Sequence, residues 1–172
     1  MEKIERISRP AVSDSGPLIH LDELECLTLL NDFSQITVPE AVWREVQNHR
    51  PQALKKKGGN LVRTSIPQQY DWEVETAAGL FTLQNGEKEA IYLSHQSPNS
   101  LFLTDDTAAR LAARSLGITV HGTIGILVRS IRLKHKSKQE VVSILRSLPQ
   151  KSTLHIKRSL LDDIIREVLE SV

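Results

Sequence analysis

A chain of 172 residues, 40% hydrophobic and 25% charged, is long enough for one domain with a full core, and its composition excludes the disordered, collagen-like and disulfide-rich classes. The single cysteine, Cys26, permits no internal disulfide and suits a reducing compartment, so a cytoplasmic location is expected; no apolar run approaches 18 residues, and residues 1–10 lack the apolar segment of a leader. The formal net charge of +1 excludes nothing, but residues 107–139 hold no Asp or Glu while Arg110, Arg114, Arg129, Arg132, Lys134, Lys136 and Lys138 all fall there.

Residues 11–14 read as a strand, broken by Gly16-Pro17, and Leu18, Leu21, Leu24 and Leu27 follow at helical spacing. Residues 35–38 form a second strand, and Pro39 opens a helix with Val42, Trp43 and Val46 on one stripe. The stretch 48–60, with Pro51, Lys55-Lys56-Lys57 and Gly58-Gly59, reads as a loop. A third strand spans 61–66. Helices follow at 71–83 and 87–95, then a strand at 101–104, a helix at 107–116, a short strand at 118–120 and a helix at 123–133. From Ser137 the chain is amphipathic, with Val141, Val142, Leu145, Leu148, Leu160, Leu161, Ile164, Ile165 and Val168 apolar. Alternation of strands and helices predicts a parallel sheet covered on both faces, a three-layer sandwich over residues 1–136. Residues 137–172 are then a helical extension that packs on this domain or on a partner subunit.

Two of the strands end on acids, Asp14 and the pair Asp105-Asp106. The carboxyl edge of an open parallel sheet is where ligands bind, and carboxylates brought together there repel unless a cation lies between them. Glu45 and Glu87, one inside a helix and one opening a helix, are further candidates. Such an oxygen-donor set suits one or two hard divalent ions, Mg²⁺ or Mn²⁺. Ser15, Thr104 and Thr123 are polar groups near this edge, and His121 is the one histidine placed close to it. Cys26 reads as core, Trp43 and Trp72 as core or interface residues, and Gly79 as a packing or kink position.

The blocks Ser13-Asp14-Ser15-Gly16-Pro17-Leu18-Ile19, Val38-Pro39-Glu40-Ala41-Val42-Trp43-Arg44-Glu45-Val46, Gly86-Glu87-Lys88-Glu89-Ala90-Ile91, Leu103-Thr104-Asp105-Asp106-Thr107-Ala108-Ala109-Arg110 and Gly122-Thr123-Ile124-Gly125-Ile126-Leu127 resemble, in this order, those of PIN-domain proteins. The resemblance covers residues 11–133. It implies a five-stranded parallel sheet in the order 3-2-1-4-5, an acidic metal pocket and endonucleolytic cleavage of single-stranded RNA, as in toxin ribonucleases of toxin–antitoxin pairs. Asp14, Glu45, Glu87 and Asp105 carry over as the catalytic set, and Asp14, Glu87, Asp105 and Asp106 as metal ligands, with Asp106 an alternate for Asp105. Ser15, Arg110, Arg114, Lys55, Lys56 and Lys57 are the expected RNA contacts. Single-stranded RNA, an antitoxin protein and a second copy in a homodimer or higher oligomer are the expected partners, and a membrane is not.

The competing reading is a PIN-like module that binds RNA or protein without cleaving. A phosphotransfer receiver needs its acid pair after the first strand, and an aspartate-nucleophile phosphatase needs a second Asp where Gly16 stands. A purely oligomerising domain leaves the acids unexplained.

Overall fold

The computed structural model describes residues 8–55, 61–67 and 69–171. Lys56 and Lys57 lie outside the described residues. Five short strands, β1 (Ala11–Ser13), β2 (Ile36–Pro39), β3 (Leu61–Thr64), β4 (Leu101–Leu103) and β5 (Val120–His121), form one sheet in the order β3-β2-β1-β4-β5. Every pairing is parallel, with Ala11 opposite both Ile36 and Leu101. β1 is therefore central, and whatever follows it lies at the middle of the carboxyl edge.

Side chains alternate across a strand, and here the alternation divides the core. Ala11, Ile36, Val38, Leu101 and Leu103 pack into one layer with α1 (Ser15–Glu23), α2 (Glu40–His49) and α7 (Thr123–Arg132). Val12 and Phe102 pack into the other, against α4 (Trp72–Phe81), α5 (Asn85–His95) and α6 (Thr107–Ser115). The second layer uses Ala77, Ala90, Ala109, Ala112 and Ala113, small residues that let these helices lie close to the sheet. The result is the three-layer sandwich expected from the alternation.

The C-terminal extension belongs to the first layer. α8 (Lys138–Lys151) begins with a capping box, in which Ser137 and Glu140 satisfy each other's backbone N–H groups, and α9 (Arg158–Glu170) folds back beside it. Val141, Val142, Leu145, Leu161, Ile165 and Val168 are buried in the same cluster as Ala11 and Leu18. Glu23 clasps the turn between the two helices, accepting from Ser152 Oγ at 2.8 Å and from the Thr153 N–H at 2.7 Å.

Several local expectations change. The apolar stripe 18–27 is not one helix: α1 stops at Glu23, Glu25 takes a left-handed conformation with φ 57°, and a 3-10 helix follows at Leu27–Asp32. All four leucines of the stripe are nonetheless buried. The expected loop at 48–60 contains the end of α2 and the short helix α3 (Gln52–Lys55), where Ala53 is fully buried. Gly79 is not a packing position, because a side chain there would meet nothing within 4 Å. Trp72, 73% exposed, and Leu80, 76% exposed, leave an apolar stripe on α4 outside the core. Cys26 is buried, as read. No helix among the described residues is long and apolar enough to cross a membrane.

Candidate carboxylate site

Asp14 follows the last residue of β1 and precedes α1, so its backbone is extended and its side chain makes no cap bond to that helix. The Asp14 N–H donates to the Leu103 carbonyl at 2.9 Å, which continues the sheet past β1 and fixes where the carboxylate points. The side chain is 5% exposed and accepts one hydrogen bond at Oδ2, from Thr104 Oγ1 at 3.0 Å. Burial pushes its pKa up to about 7, with repulsion from Glu87 and Glu45 adding to the rise and the bonds from Ser15 and Thr104 opposing it.

The other acids reach Asp14 from separate elements. Glu45, on the exposed face of α2, accepts from Ser15 Oγ at 2.9 Å, so Ser15 joins α1 to this carboxylate. Glu87 lies in the first turn of α5, where one oxygen accepts the Gln84 N–H at 2.8 Å in a capping box. Burial raises its pKa, and Asp106 and Glu45 add to the rise against the Gln84 bond. Asp106 caps α6 through Oδ1, which accepts the Ala109 N–H at 2.8 Å. Thr104, fully buried, links both sides: its hydroxyl donates to Asp14 and accepts the Asp106 N–H at 3.2 Å. Asp14, Glu45, Glu87 and Asp106 thus form one electrostatically coupled group.

Asp105 is placed differently. Its Oδ1 accepts the Thr123 N–H at 2.7 Å, and its Oδ2 accepts Thr123 Oγ1 at 2.6 Å and meets His20 Nδ1 at 2.8 Å. These contacts tie β4 to α7 and α1. Gly122 is required here: a Cβ at that position would lie 2.6 Å from Asp105 Oδ1 and 2.7 Å from Arg110 Nη2. Arg110 donates to the Thr104 carbonyl at 3.0 Å, whereas Arg114 is exposed one turn further along α6 and Lys55 is exposed at the end of α3.

One participant escaped the sequence reading. His20 joins His121 as a histidine at this edge; no local signal marks it, because its partner Asp105 lies 85 positions away. Glu89, 8% exposed, accepts the Ala41 N–H at 2.9 Å and Asn85 Nδ2 at 3.1 Å, closing the N-terminus of α2. Its role is to hold α2 and α5 together.

Among the described residues, no three Asp, Glu, His or Cys side chains converge tightly enough to form a ready-made ion site. The donor chemistry still fits a hard divalent cation. The coupled group offers only carboxylate oxygens, and Asp14, raised chiefly by burial and further by Glu87 and Glu45, has only acids for charged neighbours, which a cation would neutralise.

A parallel sheet in this order with acids at the middle of its carboxyl edge defines a PIN-like α/β domain. The sequence profile of the PIN domain matches residues 10–170, and the chain belongs to the PIN-domain family. The match runs through both C-terminal helices. PIN domains are generally nuclease-type folds that use divalent metals. Among solved structures, the chain is similar to a PilT N-terminus domain protein from the hyperthermophilic archaeon Sulfolobus solfataricus P2. The two are 16% identical over 71% of this chain and 93% of that one, with a TM-score of 0.50, a likeness of fold. No curated protein matches the sequence.

Proposed function

We propose that this chain is a divalent-metal-dependent endoribonuclease that cleaves single-stranded RNA. The observation that carries the chemistry is Asp14, a nearly buried carboxylate raised to about 7 by burial and by two acids from other helices. A structural carboxylate is normally paired with a cation; this one is set among acids.

Asp14, Glu87 and Asp106 would hold Mg²⁺ or Mn²⁺, which when bound supplies a Lewis acid at a phosphodiester oxygen and lowers the pKa of water. Thr104 orients Asp14 and Ser15 orients Glu45, whose second oxygen is then free to hold a water proton. Asp105 is a positioning residue, fixing the Thr104–Asp106 turn through Thr123 and His20. Arg110, Arg114 and Lys55 supply phosphate contacts.

The test is cleavage of single-stranded RNA by the purified chain with Mg²⁺, Mn²⁺ or chelator, beside Asp14→Asn of unchanged circular dichroism. Metal-dependent cleavage that the variant loses supports the reading, and equal activity in the variant overturns it. The absence of a preformed three-ligand cluster among the described residues favours a second reading, a module that binds RNA without cutting it. RNA retention with no cleavage under either metal would establish that module instead.

A further inference from the structure

Beside Asp105, a cleft of about 660 Å³ opens between β5, the starts of α6 and α7 and the segment returning from α8 to α9. Its volume lies within the range of small-ligand sites. Val120 and Ile124 form one wall, and Ile156, Leu160 and Ile164 from the C-terminal extension form the other. Leu160 is 52% exposed at this cleft, although the next residue, Leu161, is 3% exposed in the core.

The polar groups on the cleft are predominantly basic. Arg110 commits Nη2 to the Thr104 carbonyl beside Asp105, and neither Arg110 nor the exposed Lys157 forms an ion pair among the described residues. Asp105 is the one carboxylate on the wall, and its oxygens are filled by Thr123 and His20. Burial and the arginines around it, Arg129 and Arg132 foremost, hold His121 below the usual histidine range, so near neutral pH this wall carries an uncharged imidazole. A cleft with aliphatic walls, an uncharged imidazole and the cations Arg110 and Lys157 on its lining is complementary to a nucleotide: the walls take the base, and the cations take its phosphate.

We infer that this cleft is a base-binding subsite that takes one unstacked nucleotide of single-stranded RNA beside the scissile phosphate. Its place in the RNA path rests on the ribonuclease reading; its affinity for a nucleotide does not. Asp106 belongs to the acidic group, while Asp105 and Thr107 line the cleft, so a strand bound at both would cross the first turn of α6. The C-terminal helices therefore do more than close the core. They supply half of a pocket that selects which base lies next to the cut.

The isotope-labelled full chain, without metal, is titrated with the four nucleoside 5′-monophosphates and followed by its backbone amide resonances. Cleavage of single-stranded RNA is measured in parallel for the parent chain, Lys157→Glu and Leu160→Asp, both changes being at exposed positions. The expected result is shifts centred on His121, Gly125 and Ile156, strongest for one base and lost in both variants, with KM raised about tenfold and kcat within about twofold. Shifts at the cleft in a chain that cuts no RNA would support the subsite and defeat the ribonuclease reading. Normal cleavage with a silent cleft and unchanged KM would do the reverse. Shifts produced by an apolar peptide but by no nucleotide would overturn the subsite.

Discussion

Asp14 is held in a position where its ionised form is costly. With a folded-state pKa near 7 against an ordinary value of 3.8, the folded chain binds the extra proton throughout that interval. Stability is therefore fullest below about pH 4 as far as this group is concerned, and falls as pH rises toward and through 7. The loss is at most on the order of 4 kcal/mol, at about 1.4 kcal/mol per pKa unit. Thermal melting in chelator from pH 4 to 8 should show the parent chain losing ground to Asp14→Asn as pH rises, and Mg²⁺ should restore part of the difference only in the parent. Parallel pH profiles for the two proteins would mean that Asp14 is not ionising against its neighbours. The adjacent pair separates in the same way. Asp106→Asn retains an N-cap acceptor but removes charge from the coupled group, so it should cost cleavage with little stability. Asp105→Asn replaces an oxygen among two Thr123 donors and His20, and should cost about 1–3 kcal/mol in denaturant melts. A stability loss confined to Asp106→Asn would reverse these roles.

At the scale of elements, α5 carries two acids with different work. Glu87→Gln should lower turnover about tenfold, equivalent to about 1.4 kcal/mol of transition-state stabilisation. Glu89→Ala should instead destabilise the fold by about 1–2 kcal/mol, because the Ala41 N–H at the start of α2 loses its partner. Steady-state cleavage and urea melts on both variants check this division. Two residues apart on α5, Glu87 and Glu89 each share a stripe with apolar residues, and both prove at least partly buried, so helical periodicity alone separates them poorly. The strands were legible for a firmer reason: strands covered on both faces need near-continuous apolar runs, so 11–14 and 101–104 stand out from the helices around them. Contacts between elements were not legible. Nothing local says that His20 reaches Asp105, 85 positions away, or that of two consecutive aspartates one turns to α7 and the other caps α6. The halt of α1 at Glu23 was hidden because the leucine stripe continues past it, buried in a 3-10 helix instead.

For the molecule as a whole, the boundary drawn at residue 136 becomes a question of stability. Seven side chains beyond it, Val141, Val142, Leu145, Leu148, Leu161, Ile165 and Val168, are buried. At roughly 1.5–3 kcal/mol each, their burial contributes about 10–20 kcal/mol before entropy, as much as the net stability of a whole domain. A chain ending at residue 136 should therefore be insoluble or molten, with its near-ultraviolet dichroism lost, and a cooperative melt from such a fragment would restore the two-part description. The same arrangement has a consequence during synthesis. A ribosome finishes the last strand at His121, yet the layer over Ala11 and Leu18 remains open until Val168 has emerged. The nascent chain thus carries its acids on an unsealed scaffold while residues 122–168 are still being made.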